Sequence, residues 1–65
     1  MSRLSFKTFC IELYAEAKNK PSTEIFQLFE KEKVLQMLDL DYDLLHGFDF
    51  NYMISEIDRF LGKAS

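Results

Sequence analysis

Apolar residues recur at helical spacing along most of the chain and fall into short blocks separated by polar or turn-forming residues. In the first block, from about Ser5 to Asn19, Phe6, Phe9, Cys10, Leu13 and Ala17 follow the i, i+3, i+4, i+7, i+11 positions of one helix face. Lys7, Glu12, Glu16 and Lys18 fall largely elsewhere. Pro21 stops this helix, because a proline pushes the residue before it out of the α region. The Ser22-Thr23-Glu24 that follows reads as a helix start: a hydroxyl at the N-cap accepts an orphan backbone N–H, and Glu24 in the first turn suits the positive end of the dipole. Ile25, Phe26, Leu28 and Phe29 form the apolar side of this second helix, which closes in the solvated run Glu30-Lys31-Glu32-Lys33.

Val34, Leu35, Met37, Leu38 and Leu40 make a third apolar piece of one or two helical turns. The alternation from Leu38 to Leu44 would also fit a strand of period two, but a single strand has no partner in this chain, which favours helix or turn. Tyr42, Leu44 and Leu45 supply another patch, with Gly47 placed to end it in a left-handed cap. Asp49 or Asn51 is positioned to cap the last helix, where Met53, Ile54, Ile57, Phe60 and Leu61 keep the stripe and Gly62 ends it. The pattern therefore predicts an all-α fold: a single compact domain of four to five short helices over residues 1–65.

Composition changes the picture in three ways. At 65 residues and 48% hydrophobic, the chain is ordered but its core is small. A domain of this size buries only about 60% of the surface its unfolded chain exposes, so a partner is a usual source of added stability. Seven Phe and three Tyr exceed what a minimal core needs, and some are expected to face a second chain or a ligand. Cys10 is the only cysteine, which excludes an internal disulfide and suggests a reducing, cytoplasmic compartment. No stretch approaches the roughly 20 apolar residues that span a bilayer, so no membrane is expected as a partner.

Net charge is −3, unevenly placed: residues 1–33 hold six Lys/Arg against five Asp/Glu, and residues 34–65 hold two against six. An acidic second half does not favour a phosphate backbone, and it suits a basic protein surface. A helix-turn-helix reading of STEIFQLFEKEK offers Gln27, Lys31 and Lys33 but opposes them with Glu24, Glu30 and Glu32, so no nucleic-acid partner is expected.

The stretch with the strongest look of chemistry is LDLDYDLLHG, residues 38–47, where Asp39, Asp41 and Asp43 occupy alternate positions. A calcium loop starting at Asp39 would need Gly at its sixth position and Glu at its twelfth; Leu44 and Phe50 stand there instead. His46 is the only histidine, with no second His and no Cys nearby in sequence for zinc and no nucleophile visibly paired with it. At a helix end it is expected to meet the last carbonyls. Cys10, between Phe9 and Leu13, reads as a small core hydrophobe. There is no glycine-rich phosphate loop. No catalytic residue, metal ligand or cofactor is assigned, and an enzyme is not expected. The remaining signal is aromatic: HGFDFNYM sets Phe48, Phe50 and Tyr52 close together and rims them with Asp, in the manner of an interface anchor.

The order of these pieces resembles the small bacterial proteins of the domain of unknown function 3791 family, over Phe6 to Leu61. The likeness rests on Phe9-Cys10-Ile11-Glu12 with Tyr14, on the helix from Ile25 to Phe29, on Tyr42 with Leu45-His46, and on Ile54, Ile57, Asp58, Phe60 and Leu61 at the end. The resemblance implies a compact helical fold without an established activity. It also implies a genomic setting beside ADP-ribosyltransferase-like proteins, and hence an antitoxin-like or regulatory partner of a toxin-like enzyme encoded nearby. The expected function is that of a protein-binding module, with Asp39, Asp41 and Asp43 steering association and Tyr42, Leu45, His46, Phe48 and Phe50 at the contact. Two alternatives stay open: a self-associating homodimer without enzymatic activity, and a metal- or His46-dependent enzyme.

Overall fold

The first helix starts on a hydroxyl cap. Ser2 is extended, and its Oγ accepts the Ser5 backbone N–H at 3.1 Å, which opens α1 at Arg3–Lys18. In this computed structural model, which describes residues 2–62, four more helices follow: α2 at Ser22–Lys31, α3 at Val34–Leu40, α4 at Tyr42–Leu45 and α5 at Phe50–Phe60. The described residues contain no strand, so the alternation from Leu38 to Leu44 is two short helices joined at Asp41. The all-α expectation of four to five short helices holds.

Helix α1 is the centre of the arrangement and packs against α2, α3 and α5, with α4 continuing from α3. The core is built where their apolar rows meet: Phe6, Cys10 and Tyr14 from α1, Ile25 and Phe29 from α2, Val34 and Leu38 from α3, Leu45 from α4, and Met53 and Ile57 from α5. The radius of gyration, 10.6 Å, equals what a fully compacted chain of this length has, about 10.7 Å.

Two left-handed residues make the tight links. Asn19 (φ 56°, ψ 50°) closes α1 as a Schellman motif: the Lys20 N–H reaches the Ala15 carbonyl at 2.9 Å and the Asn19 N–H the Glu16 carbonyl at 3.2 Å. Lys33 (φ 63°, ψ 26°) turns α2 into α3. The C-terminal end of α5 is closed by Gly62 at φ +77°, as expected.

Two caps differ from expectation. No side chain caps α2; Pro21 holds the N-cap position, and Ser22, already helical, donates its hydroxyl to the Glu12 carboxylate on α1. That bond fastens the start of α2 to its neighbour, which competes with a local cap for the same hydroxyl. Gly47 does not adopt a left-handed conformation. Helix α4 is only one turn long and ends at His46 in right-handed geometry, and the chain leaves through a Phe48 N–H to Leu45 carbonyl turn of 3.0 Å. Asp49 does cap α5, accepting the Tyr52 N–H at 2.8 Å.

Candidate functional site

The segment from Asp39 to Tyr52 carries α3's last turn, α4 and the start of α5. Its anchor is Tyr42. The ring meets buried Phe6 edge-on (5.3 Å between centroids, 81°), lies under the Arg3 guanidinium at 4.9 Å, and is stacked by His46 at 4.8 Å and 12°. His46 Nδ1 stands 2.7 Å from the Tyr42 carbonyl oxygen. A carbonyl only accepts, so the proton sits on Nδ1; that oxygen belongs to the first residue of α4 and also takes the His46 backbone N–H at 3.0 Å, so the ring folds back along its own helical turn.

The three aspartates do not converge. Asp39 is drawn toward α1: its carboxylate pairs with Lys7 Nζ at 3.0 Å, and its backbone carbonyl takes a hydrogen bond from Arg3. Asp41 sits at the joint between α3 and α4, and Asp43 is exposed on α4; neither makes an ion pair among the described residues. Asp39 is thus compensated, Asp41 shares a hollow with Glu56 and Arg59, and Asp43 is the segment's most open carboxylate. No group of three His, Cys, Asp or Glu side chains comes together among the described residues.

The contact residues read from the sequence separate into surface and core. Leu45 is 3% exposed and lies in the core, so it offers nothing to a partner directly; it fixes α4 against the bundle. Phe48 and Phe50 are open to solvent. Phe48 lies against Tyr52 (4.4 Å between centroids), and Phe50 leans on Phe9 of α1 (5.3 Å). The Tyr52 phenol has its pKa raised by a hydrogen bond to Glu56, which favours the protonated form. Cys10 is wholly buried, and burial pushes its thiol up to about 12, far from a reactive thiolate.

Large apolar exposures also lie outside the expected contact residues: Leu40 is 84% exposed, Leu4 72% and Leu44 61%. Phe26 and Phe60, assigned to apolar helix sides, are also open. On α1 the row Phe9, Leu13, Ala17 is only partly covered, while Tyr14, which the spacing passed over, is buried. The available signal was the breadth of the apolar arc on α1, wider than one core face needs.

The family model described as "Protein of unknown function (DUF3791)" matches residues 5–63, nearly the whole chain. The chain belongs to that family. No curated protein and no solved structure matches it. No helix among the described residues is long and apolar enough to cross a membrane.

Proposed function

We propose that this chain is a non-enzymatic, protein-binding module of the bacterial cytoplasm that engages a basic partner surface through the Leu40–Phe50 segment. The observation that carries the reading is the exposure of Leu40, Leu44, Phe48 and Phe50 in one short stretch, interspersed with Asp41 and Asp43, which make no ion pair among the described residues. A small domain shows scattered apolar residues as a matter of course, but large ones clustered with acidic residues are the composition of an interface. Tyr42 and Leu45 hold the segment in place from beneath, and His46 stacks on it. The specific form of the reading is an antitoxin-like or regulatory partner of a neighbouring ADP-ribosyltransferase-like protein.

The test is a tagged capture from a lysate of the source cell at low and high salt, with the eluate identified by mass spectrometry and sized by light scattering. A stoichiometric basic protein released by salt is the expected result, since screening shortens the Debye length from about 10 Å at 0.1 M to about 3 Å at 1 M. Asp41→Lys with Asp43→Lys should reduce that capture at low salt. Unchanged capture would remove the electrostatic part of the proposal, and a clean homodimer with nothing bound would replace it with self-association.

A further inference from the structure

A second surface, which shares Phe50 with the first, lies between α1 and α5. Helix α1 carries two parallel apolar rows. Phe6, Cys10 and Tyr14 are buried in the core, whereas Phe9, Leu13 and Ala17, at i, i+4 and i+8, face a groove of about 420 Å³. Helix α5 repeats the division: Met53 and Ile57 enter the core, and Phe50 and Ile54 form the opposite wall of the groove. Phe9, Leu13 and Ile54 pack one side against the core and stay half-buried, Ala17 and Phe50 are exposed, and no other helix of the described residues lines the groove.

The rim of this groove has one sign of charge. Its charged lining residues are Glu12 and Glu16, and Asp49 lines the adjoining hollow that shares Phe50 and Asn51. Elsewhere the signs differ: Asp41, Glu56 and Arg59 meet beside Phe60, Lys7, Glu30 and Asp39 share another hollow, and a third is lined by Lys18 and Lys20 without a carboxylate. Glu16 makes no ion pair among the described residues. From Phe9 to Ala17 the groove runs about 12 Å along α1, the length of roughly two turns of a bound helix.

We propose that the α1–α5 groove docks a short basic amphipathic helix of the partner protein, its apolar row on Phe9, Leu13, Phe50 and Ile54 and its Lys or Arg residues against Glu12 and Glu16. The proposal rests on the protein-binding reading above and adds a second, chemically defined point of attachment to it. A second copy of this chain is a poorer occupant, because a two-fold interface across the groove would bring the Glu12 and Glu16 rims of both copies together. An acidic or neutral helix would leave the two glutamates without a counter-charge.

The test uses the full chain, labelled with nitrogen-15, and two synthetic helical peptides of equal length. Both carry Leu at i, i+3, i+4 and i+7; one has Lys at the flanking positions and the other Glu. The Lys peptide should shift the amide resonances of Phe9, Leu13, Phe50 and Ile54 and spare those of Leu40 to Leu44. Glu16→Lys, at an exposed position, should keep the melting temperature and weaken the Lys peptide about five- to tenfold, the size expected for reversing one rim charge. Phe50→Ala should weaken it independently. Equal affinity for the two peptides, shifts on the Leu40–Leu44 face, absence of binding, or dimerisation through the groove would each overturn the proposal. If Asp41→Lys with Asp43→Lys abolishes capture of the cellular partner while Glu16→Lys leaves it intact, the groove assignment falls and the binding-module reading stands.

Discussion

The Tyr14 hydroxyl donates a hydrogen bond to the Asp58 carboxylate at 2.5 Å, and that bond ties the middle of α1 to α5. Tyr14 is 2% exposed and its ring packs on Phe29 of α2. The second Asp58 oxygen takes Lys18 Nζ at 3.0 Å, and the same ammonium lies 5.3 Å from the Tyr14 ring centre. One aromatic side chain therefore meets three needs: it fills the core between α1 and α2, it gives its buried hydroxyl a partner, and it shares a charged pair that spans α1 and α5.

Replacing Tyr14 by Phe keeps the ring and removes the bond. A hydrogen bond to a charged acceptor contributes about 1.5–3 kcal/mol, and Asp58 retains Lys18, so a loss of about 1–2 kcal/mol is expected. In a domain of this size that lowers the melting temperature by roughly 4–16 °C. A double-mutant cycle with Asp58→Asn should return a coupling of at least about 0.5 kcal/mol. Additive effects would show that the two groups do not support each other.

Alkaline pH should weaken the fold through two buried groups. Desolvation raises the Cys10 thiol from 9.0 to about 12, and burial first, with the Asp58 hydrogen bond second, raises the Tyr14 phenol above its ordinary 10.0. Each group holds its proton to higher pH when folded than when unfolded. Its contribution is complete below the unfolded value and is lost as pH climbs through the folded one. Stability should decline from about pH 9 upward, with the thiol contributing at most about 1.4 kcal/mol per pH unit. Urea midpoints at pH 7, 9 and 10.5 measure this, and Cys10→Ala should flatten the first part of the decline. A midpoint that stays level to pH 10.5 would contradict a buried thiol.

The helices were legible in the sequence because their spacing, Pro21 and Asp49 are local signals. What eluded the pattern was which way each apolar row faces. Phe9, Leu13 and Ala17 share a helix face with Phe6 and Cys10, and only the placement of the other helices around α1 decides that the second row is core and the first a groove wall. Ser22 looked like a cap because nothing in its own neighbourhood reveals Glu12 across the helix pair. Asp39 looked like its two acidic neighbours until the fold placed Lys7 beside it. Leu45 and Leu44 are adjacent and chemically alike, yet one is buried and the other open, a difference set by the rotation of a single helical turn.

The cap on α5 can be tested directly. Asp49 accepts the Tyr52 N–H at 2.8 Å and sets its negative charge at the helix start. Asp49→Ala should cost about 1 kcal/mol, and Asp49→Asn, which keeps the acceptor and drops the charge, should cost less. Chemical denaturation with an unchanged denaturant slope is the measurement. An alanine variant as stable as the parent would show that α5 is held by its core row alone.

The link between α2 and α3 stores a cost that can be removed. Lys33 is exposed and sits at φ 63°, where its Cβ crowds the following carbonyl. The left-handed conformation costs a residue other than glycine about 1–2 kcal/mol. Glycine relieves this and gives back about 0.5–1 kcal/mol in unfolded-state entropy. Lys33→Gly should therefore stabilise the fold by up to about 1 kcal/mol, whereas Lys33→Ile, branched at Cβ, should destabilise it by a similar amount or more. The two variants differ in sign relative to the parent, so urea midpoints separate them without an absolute scale. Lys33→Gly also removes one positive charge from an exposed run, and a Lys33→Asn control isolates that effect, since asparagine tolerates the left-handed region and carries no charge. If Gly and Ile destabilise alike, residue 33 does not hold this conformation in solution, and the turn that directs α3 onto α1 is made some other way.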